Sequence, residues 1–204
     1  EMLLLEQQVL SWMAQHYPQY QVEVSSTALM FGHIGERNMA SMLQSLPLAL
    51  VLISLLLVFS LRSRRLGLIS LVASMVPASA GFGLWQLGSG EINLGLSVVA
   101  SMSLGIIVDD TVHFLAKYQH ARREGRDAEQ AIRYAFHSVG HALVITTVVL
   151  VLGFAVLMLS TFRLNSDMGM LTGIILVLAL LIDFLLLPAL LLRFDRRNHQ
   201  AQIR

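Results

Sequence analysis

The feature that most constrains this chain is a series of long stretches without charge. No Asp, Glu, Lys or Arg stands between Arg37 and Arg62, Arg65 and Glu91, Glu91 and Asp109, Arg133 and Arg163, or Asp167 and Asp183. Roughly 20 mainly apolar residues are needed to cross a hydrocarbon core. The spacing therefore predicts membrane helices at about 40–61, 66–87, 93–118, 139–160 and 167–192. Composition agrees: 55% of the 204 residues are hydrophobic and 13% charged, away from the balance of a soluble domain. Backbone groups in lipid must be bonded within the segment, which favours helices over open strands. The expected fold class is an all-α membrane protein, a five-transmembrane-helix bundle over residues 40–197.

Basic residues set the expected orientation, because Lys and Arg near span ends are retained on the cytoplasmic side. Twelve of the fourteen lie in the turn Arg62 to Arg65, the segment Lys117 to Arg133 and the tail from Arg193 to Arg204. Arg37 and Arg163 lie with Glu91 and Asp167 on the other side. The alternation holds at every loop. It places the N-terminus outside, the C-terminus inside and residues 198–204 in a cytoplasmic tail.

Residues 1–39 carry no basic leader or cleavage pattern and resemble the end of a folded domain. Residues 3–17 have apolar positions at helical spacing, Tyr20 to Val24 alternate like a strand, and Pro18 separates them. A short α+β extracytoplasmic remnant is expected there, with a surface linker as the plainer alternative, in a chain cut from a longer protein. The sequence has no cysteine, which leaves the redox compartment open.

Two stretches look built for packing. Ser70, Ser74, Pro77 and Gly81 form a small-residue stripe on the second span, of the kind that lets helices approach closely in lipid. Pro77 removes one helix hydrogen bond. A helix contact is expected here rather than a substrate gate. Between the third and fourth spans, Asp127 stands where it can cap a helix, with Gln130 in the capping-box position. Ala128, Ile132, Ala135, Phe136 and Val139 then share one face, which predicts an amphipathic connector on the membrane surface.

Chemistry concentrates in the third span. Asp109 and Asp110 lie about two-thirds of the way through it, where one carboxylate alone costs on the order of 2.5–3.5 kcal/mol by insertion scales. No Lys or Arg stands between the ends of the five spans to neutralise them. A dry setting and a like-charged neighbour both disfavour the ionised carboxyl, the condition for a group that takes up and releases protons. Ser97, Ser101, Gly105, Asp109 and His113 recur every four residues, a small and polar stripe expected to face a helix partner in a bundle. His113 is within helical reach of either acid and is either a relay partner or an interfacial residue. Thr146, Thr147 and Asp183 fall at comparable depth. The threonines can bond a carboxylate or their own backbone carbonyls, and Asp183, shortly before Pro188, is a further candidate for the pathway.

Other chemistries find no footing. There is no phosphate-cradling glycine loop, no HExxH and no nucleophile elbow, so neither an enzyme nor a metal site is expected. The basic residues are accounted for by topology and give no sign of nucleic acid. Gly153, Gly169 and Gly173 read as packing positions.

The run Gly105-Ile-Ile-Val-Asp109-Asp110, followed by Thr111-Val-His113-Phe114, resembles the acidic-motif helix of the resistance-nodulation-division superfamily, in particular its MMPL-type branch of exporters, which is also akin to sterol-sensing domains. The likeness extends from about residue 28 to 197 and includes the last span, ending Asp183-Phe-Leu-Leu-Leu-Pro188. It implies two six-helix repeats, with this chain holding the last five helices of the second and the end of its loop domain. By the same resemblance Asp109 and Asp110 form part of a proton relay in a multi-pass protein of a bacterial-type inner membrane. No cofactor is implied beyond the proton gradient. The expected partners are the N-terminal repeat of the same protein, membrane lipids, a hydrophobic or lipid-like substrate and further copies in a homo-oligomer. Drug-exporting relatives often carry a lysine on this helix. Asp109-Asp110 in its place favours the lipid-exporting branch, and the alternative is a lipid-sensing or partner-binding module without transport.

Overall fold

A computed structural model describes residues 2–61, 63–88 and 94–201. Arg62, Glu91, the first residue of the 93–118 span and residues 202–204 of the tail lie outside the described residues. The helices are α1 (Met2–His16), α2 (Thr27–Leu61), α3 (Arg64–Gly88), α4 (Leu94–Arg123), α5 (Ala128–Ala135), α6 (His141–Met158) and α7 (Arg163–Ala201), with a π-helical turn, Phe136–Gly140, joining α5 to α6. Among the described residues there is no strand. The chain divides into two compact units, Glu1–Ser45 and Leu46–Arg204.

In the first unit, the Glu6 carboxylate and His33 Nε2 meet at 2.8 Å, and Leu3 lies against Gly32. Ser26 caps the start of α2 by accepting from the Leu29 amide at 3.1 Å. The alternation at Tyr20–Val24 does not produce a strand. A strand needs a neighbour for its amides and carbonyls, and these residues run as irregular chain after a turn in which the Tyr20 amide reaches Tyr17 O at 3.1 Å. What was expected as an α+β remnant is helical here.

The second unit contains four helices long and apolar enough to cross a membrane: Leu66–Gly88, Gly95–Arg123, Ala128–Met158 and Arg163–Phe194. The expected fifth, at 40–61, falls within α2. Helix α2 runs from Thr27 to Leu61, and its described residues include the apolar stretch Leu48–Phe59.

Helix α7 organises this unit, packing against α3, α4, α5 and α6. On α3, Ser70, Ser74 and Gly81 of the small-residue stripe are buried, and a Cβ added at Gly81 would run into the Ile175 side chain of α7. The stripe is therefore a helix contact. Gly169 permits a second close approach, since a Cβ there would sit 2.6 Å from the Phe154 carbonyl oxygen of α6. Gly153 and Gly173, by contrast, have open space where a Cβ would stand.

The interior is two apolar clusters set along the bundle. One gathers Leu57, Ile69, Phe114, Tyr118, Ile132 and Leu187. The other gathers Trp85, Leu96, Val99, Ile107, Leu171 and Ile175. Outward, α6 shows Ile145, Val149, Leu152 and Val156 more than 60% exposed. Such an apolar surface suits lipid or another helix and not water.

The connector forms as the capping signal predicts. Asp127 Oδ1 accepts from the Gln130 amide at 2.7 Å, and Ala131, Ile132 and Ala135 are buried. The π turn that follows was not legible in the spacing. It takes in one residue more than an α turn, which rotates the face of α6 relative to α5 by roughly 100°. Phe136, within it, packs between Phe114 of α4 and Phe184 of α7, with ring centroids 4.9 and 5.0 Å apart.

Candidate functional site

Helix α4 carries two different faces, and the acidic pair straddles them. Ser101, Gly105, Asp109 and His113 are exposed, while Ser103, Ile107, Thr111, Phe114 and Leu115 are buried. The polar stripe does lie on one side, as its four-residue repeat requires. It faces away from the helices of this chain, however, and a Cβ at Gly105 would meet nothing within 4 Å. Ser101 donates weakly to Val98 O at 3.4 Å, and Ser97 is half-buried.

On that outward face His113 Nε2 lies 3.5 Å from Asp109 Oδ1, with side chains 64% and 73% exposed. Helical spacing brings the two together as expected. Asp110, one residue on, is rotated toward the interior and half-buried.

The inner face holds a contact that the sequence did not single out. Thr111 Oγ1 donates to Asp183 Oδ1 of α7 at 3.1 Å and also lies 3.0 Å from Ile107 O. Thr111 is fully buried and Asp183 only 3% exposed. The structure thus joins Asp183 to the acidic helix through Thr111, a residue visible beforehand only as a member of the motif. A hydroxyl four residues after Ile107, on the face opposite the polar stripe, was the available signal.

The threonines of α6 do not reach the acids. Thr146 bonds Ala142 O and Leu143 O, each at 3.0 Å, and Thr147 bonds Leu143 O at 2.8 Å. These are backbone contacts of the kind threonine makes inside helices. Among the described residues no group of three His, Cys, Asp or Glu side chains is placed to hold a metal ion.

Long apolar helices packed around a buried carboxyl, with an acidic pair at the bundle surface, define a multi-pass helical membrane protein. The chain belongs to the MMPL family, whose model matches residues 7–204, and through it to the resistance-nodulation-division superfamily of membrane transporters. It is similar to a putative membrane protein of Streptomyces coelicolor, 30% identical over 189 residues, covering 90% of this chain and 26% of the relative. It is 31% identical over 150 residues to the hopanoid transporter HpnN of Burkholderia multivorans, covering 71% of this chain and 16% of that protein. Likeness to the sulfolipid-1 exporter MmpL8 of Mycobacterium tuberculosis is 25% over 133 residues, 65% of this chain and 12% of the exporter. The chain spans between 12% and 40% of the length of the curated relatives it matches.

Proposed function

We propose that this chain is the C-terminal membrane part of an exporter of hydrophobic or lipid-like substrates, driven by proton entry through the Asp109-Asp110 motif of α4. The observation that carries the reading is the position of the pair. Two carboxyls stand in a helix apolar enough to cross a membrane, and no Lys or Arg stands between Arg65 and Lys117 on the flanking sequence. Such acids are costly in lipid and are kept where they face a pathway or a partner. The stripe Ser101, Gly105, Asp109 and His113 is small, polar and exposed among the described residues, which suits a second helical repeat packed against it. His113 supplies a base beside Asp109 at 3.5 Å.

In this reading, protonation of the pair removes buried charge and lets the two repeats move against one another, and release toward the cytoplasm restores it. Each proton moved down the membrane potential contributes about 2.3 kcal/mol per 100 mV, enough to bias a conformational change. The protein sits in a bacterial-type inner membrane with its N-terminus outside, in keeping with the basic residues of the turn, connector and tail. Residues 1–39 then end an extracytoplasmic domain. Two relatives carry names that speak of hopanoid transport and sulfolipid-1 export, which supports a lipid-like cargo.

The test is transport by the full-length protein in lipid vesicles loaded with a fluorescent lipid analogue. Movement of the analogue should require an imposed proton gradient and stop when an uncoupler collapses it. Movement at an undiminished rate after collapse contradicts proton drive, and no movement under any gradient favours a lipid-sensing module.

A further inference from the structure

The two apolar clusters of the bundle leave a seam between them. On α4, Ile107 belongs to one cluster and Phe114 to the other; on α7, Ala179 and Leu187 divide in the same way. Thr111 and Asp183 occupy that seam, buried at 0% and 3% exposure and joined by a 3.1 Å hydrogen bond. A carboxyl with one neutral donor, in a bundle interior, is poorly compensated as an anion. A proton is the simplest means of neutralising it.

The charged and titratable groups around it are few. Leu66–Gly88 of α3 contains none. On α4, Asp110 is half-buried one residue before Thr111, while Asp109 and His113 are exposed. His137 of the π turn, His141 of α6 and Glu129 and Arg133 of α5 are all exposed, and Glu129 and Arg133 pair with each other at 2.9 Å. Tyr118 is a buried phenol on the inner face of α4, and Tyr134 of α5 lies under Arg126 at 4.3 Å. No cation among these contacts Asp183.

We infer that Asp183 is a second proton-binding carboxyl, inside this chain's own bundle, and that Thr111 is the positioning residue coupling it to the acidic helix. The inference rests on the proposed proton drive and extends it from the surface of α4 to α7. Thr111 has one hydroxyl hydrogen and two acceptors in range, Asp183 Oδ1 at 3.1 Å and Ile107 O at 3.0 Å. With Asp183 ionised, the hydrogen is held by the carboxylate. When a proton binds Asp183, the neutral acid donates its own O–H to Thr111 Oγ1, and the Thr111 hydrogen turns to Ile107 O. Release of the proton reverses both bonds. The exchange links the state of α7 to the helix that carries Asp109 and Asp110.

The test uses the full-length protein in vesicles, with proton flux and infrared spectra of the carboxyl groups recorded against pH. Asp183→Asn should remove one titrating carboxyl band and slow flux at least tenfold while leaving expression unchanged. Thr111→Val, which deletes the donor to Asp183, should shift the pH of half-maximal flux by about one unit, a tenfold change in proton affinity. Thr111→Ser should restore it. A wild-type flux and pH profile in both Asp183→Asn and Thr111→Val overturns the inference. If Asp183→Asn does not fold, the band in wild type must shift in Thr111→Val and return in Thr111→Ser, and a band indifferent to Thr111 overturns it. Failure of the proton-drive reading looks different: flux is then insensitive to Asp109→Asn and Asp110→Asn, whatever the Asp183 band does.

Discussion

The two faces of α4 are made from the same helix and have opposite requirements. The inner face, Ile107, Thr111, Phe114 and Tyr118, is buried against α7 and its neighbours, and the Thr111 hydroxyl is satisfied. The outer face, Ser101, Gly105, Asp109 and His113, is small, polar and exposed, with open space beside Gly105 among the described residues. Inside a membrane the outer face is the anomaly, because lipid offers neither hydrogen bonds nor charge compensation. The difference teaches that the helices of this unit pack one side of α4 and leave its polar side exposed.

The contrast can be broken at several points. Phe114→Ala attacks the inner face, where the ring is fully buried and in contact with Phe136. Removing such a ring typically costs about 3–5 kcal/mol, so thermal or denaturant unfolding of the purified protein should show the largest loss of stability. Gly105→Leu tests the outer face. Within this chain a Cβ there has open space, so any stability loss in the full-length protein, about 1–3 kcal/mol for overpacking, reports a helix supplied from elsewhere. Unchanged stability would leave that face to lipid. Asp127→Ala lies away from both faces. It deletes the cap bond to the Gln130 amide and should cost only about 1 kcal/mol, read as faster amide exchange in Ala128–Ala135 with transport unchanged.

Much of this contrast could be read from the sequence, because it depends on spacing. The four-residue repeat that ends at Asp109 and His113 put both on one face, and the cap at Asp127 and the stripe Ser70, Ser74 and Gly81 follow from local rules. What escaped depends on tertiary partners. The stripe's outward direction is decided by which helices surround α4, and periodicity gives a face without saying what covers it. Tyr20–Val24 had the alternation of a strand and no neighbour to complete one. The π turn at Phe136–Gly140 follows from the fit of Phe136 between Phe114 and Phe184, three residues far apart in sequence. Asp183 was visible as an isolated acid, but its link to α4 required the pairing of two helices 72 residues apart at Thr111.

The proposed function turns on Asp109 and Asp110 of α4 as the path for protons. The most direct measurement is proton flux into vesicles containing the full-length protein, under an imposed gradient, for wild type and for Asp109→Asn combined with Asp110→Asn. With expression and unfolding temperature matched, flux in the double variant should fall to that of empty vesicles. Flux equal to wild type would contradict the claim.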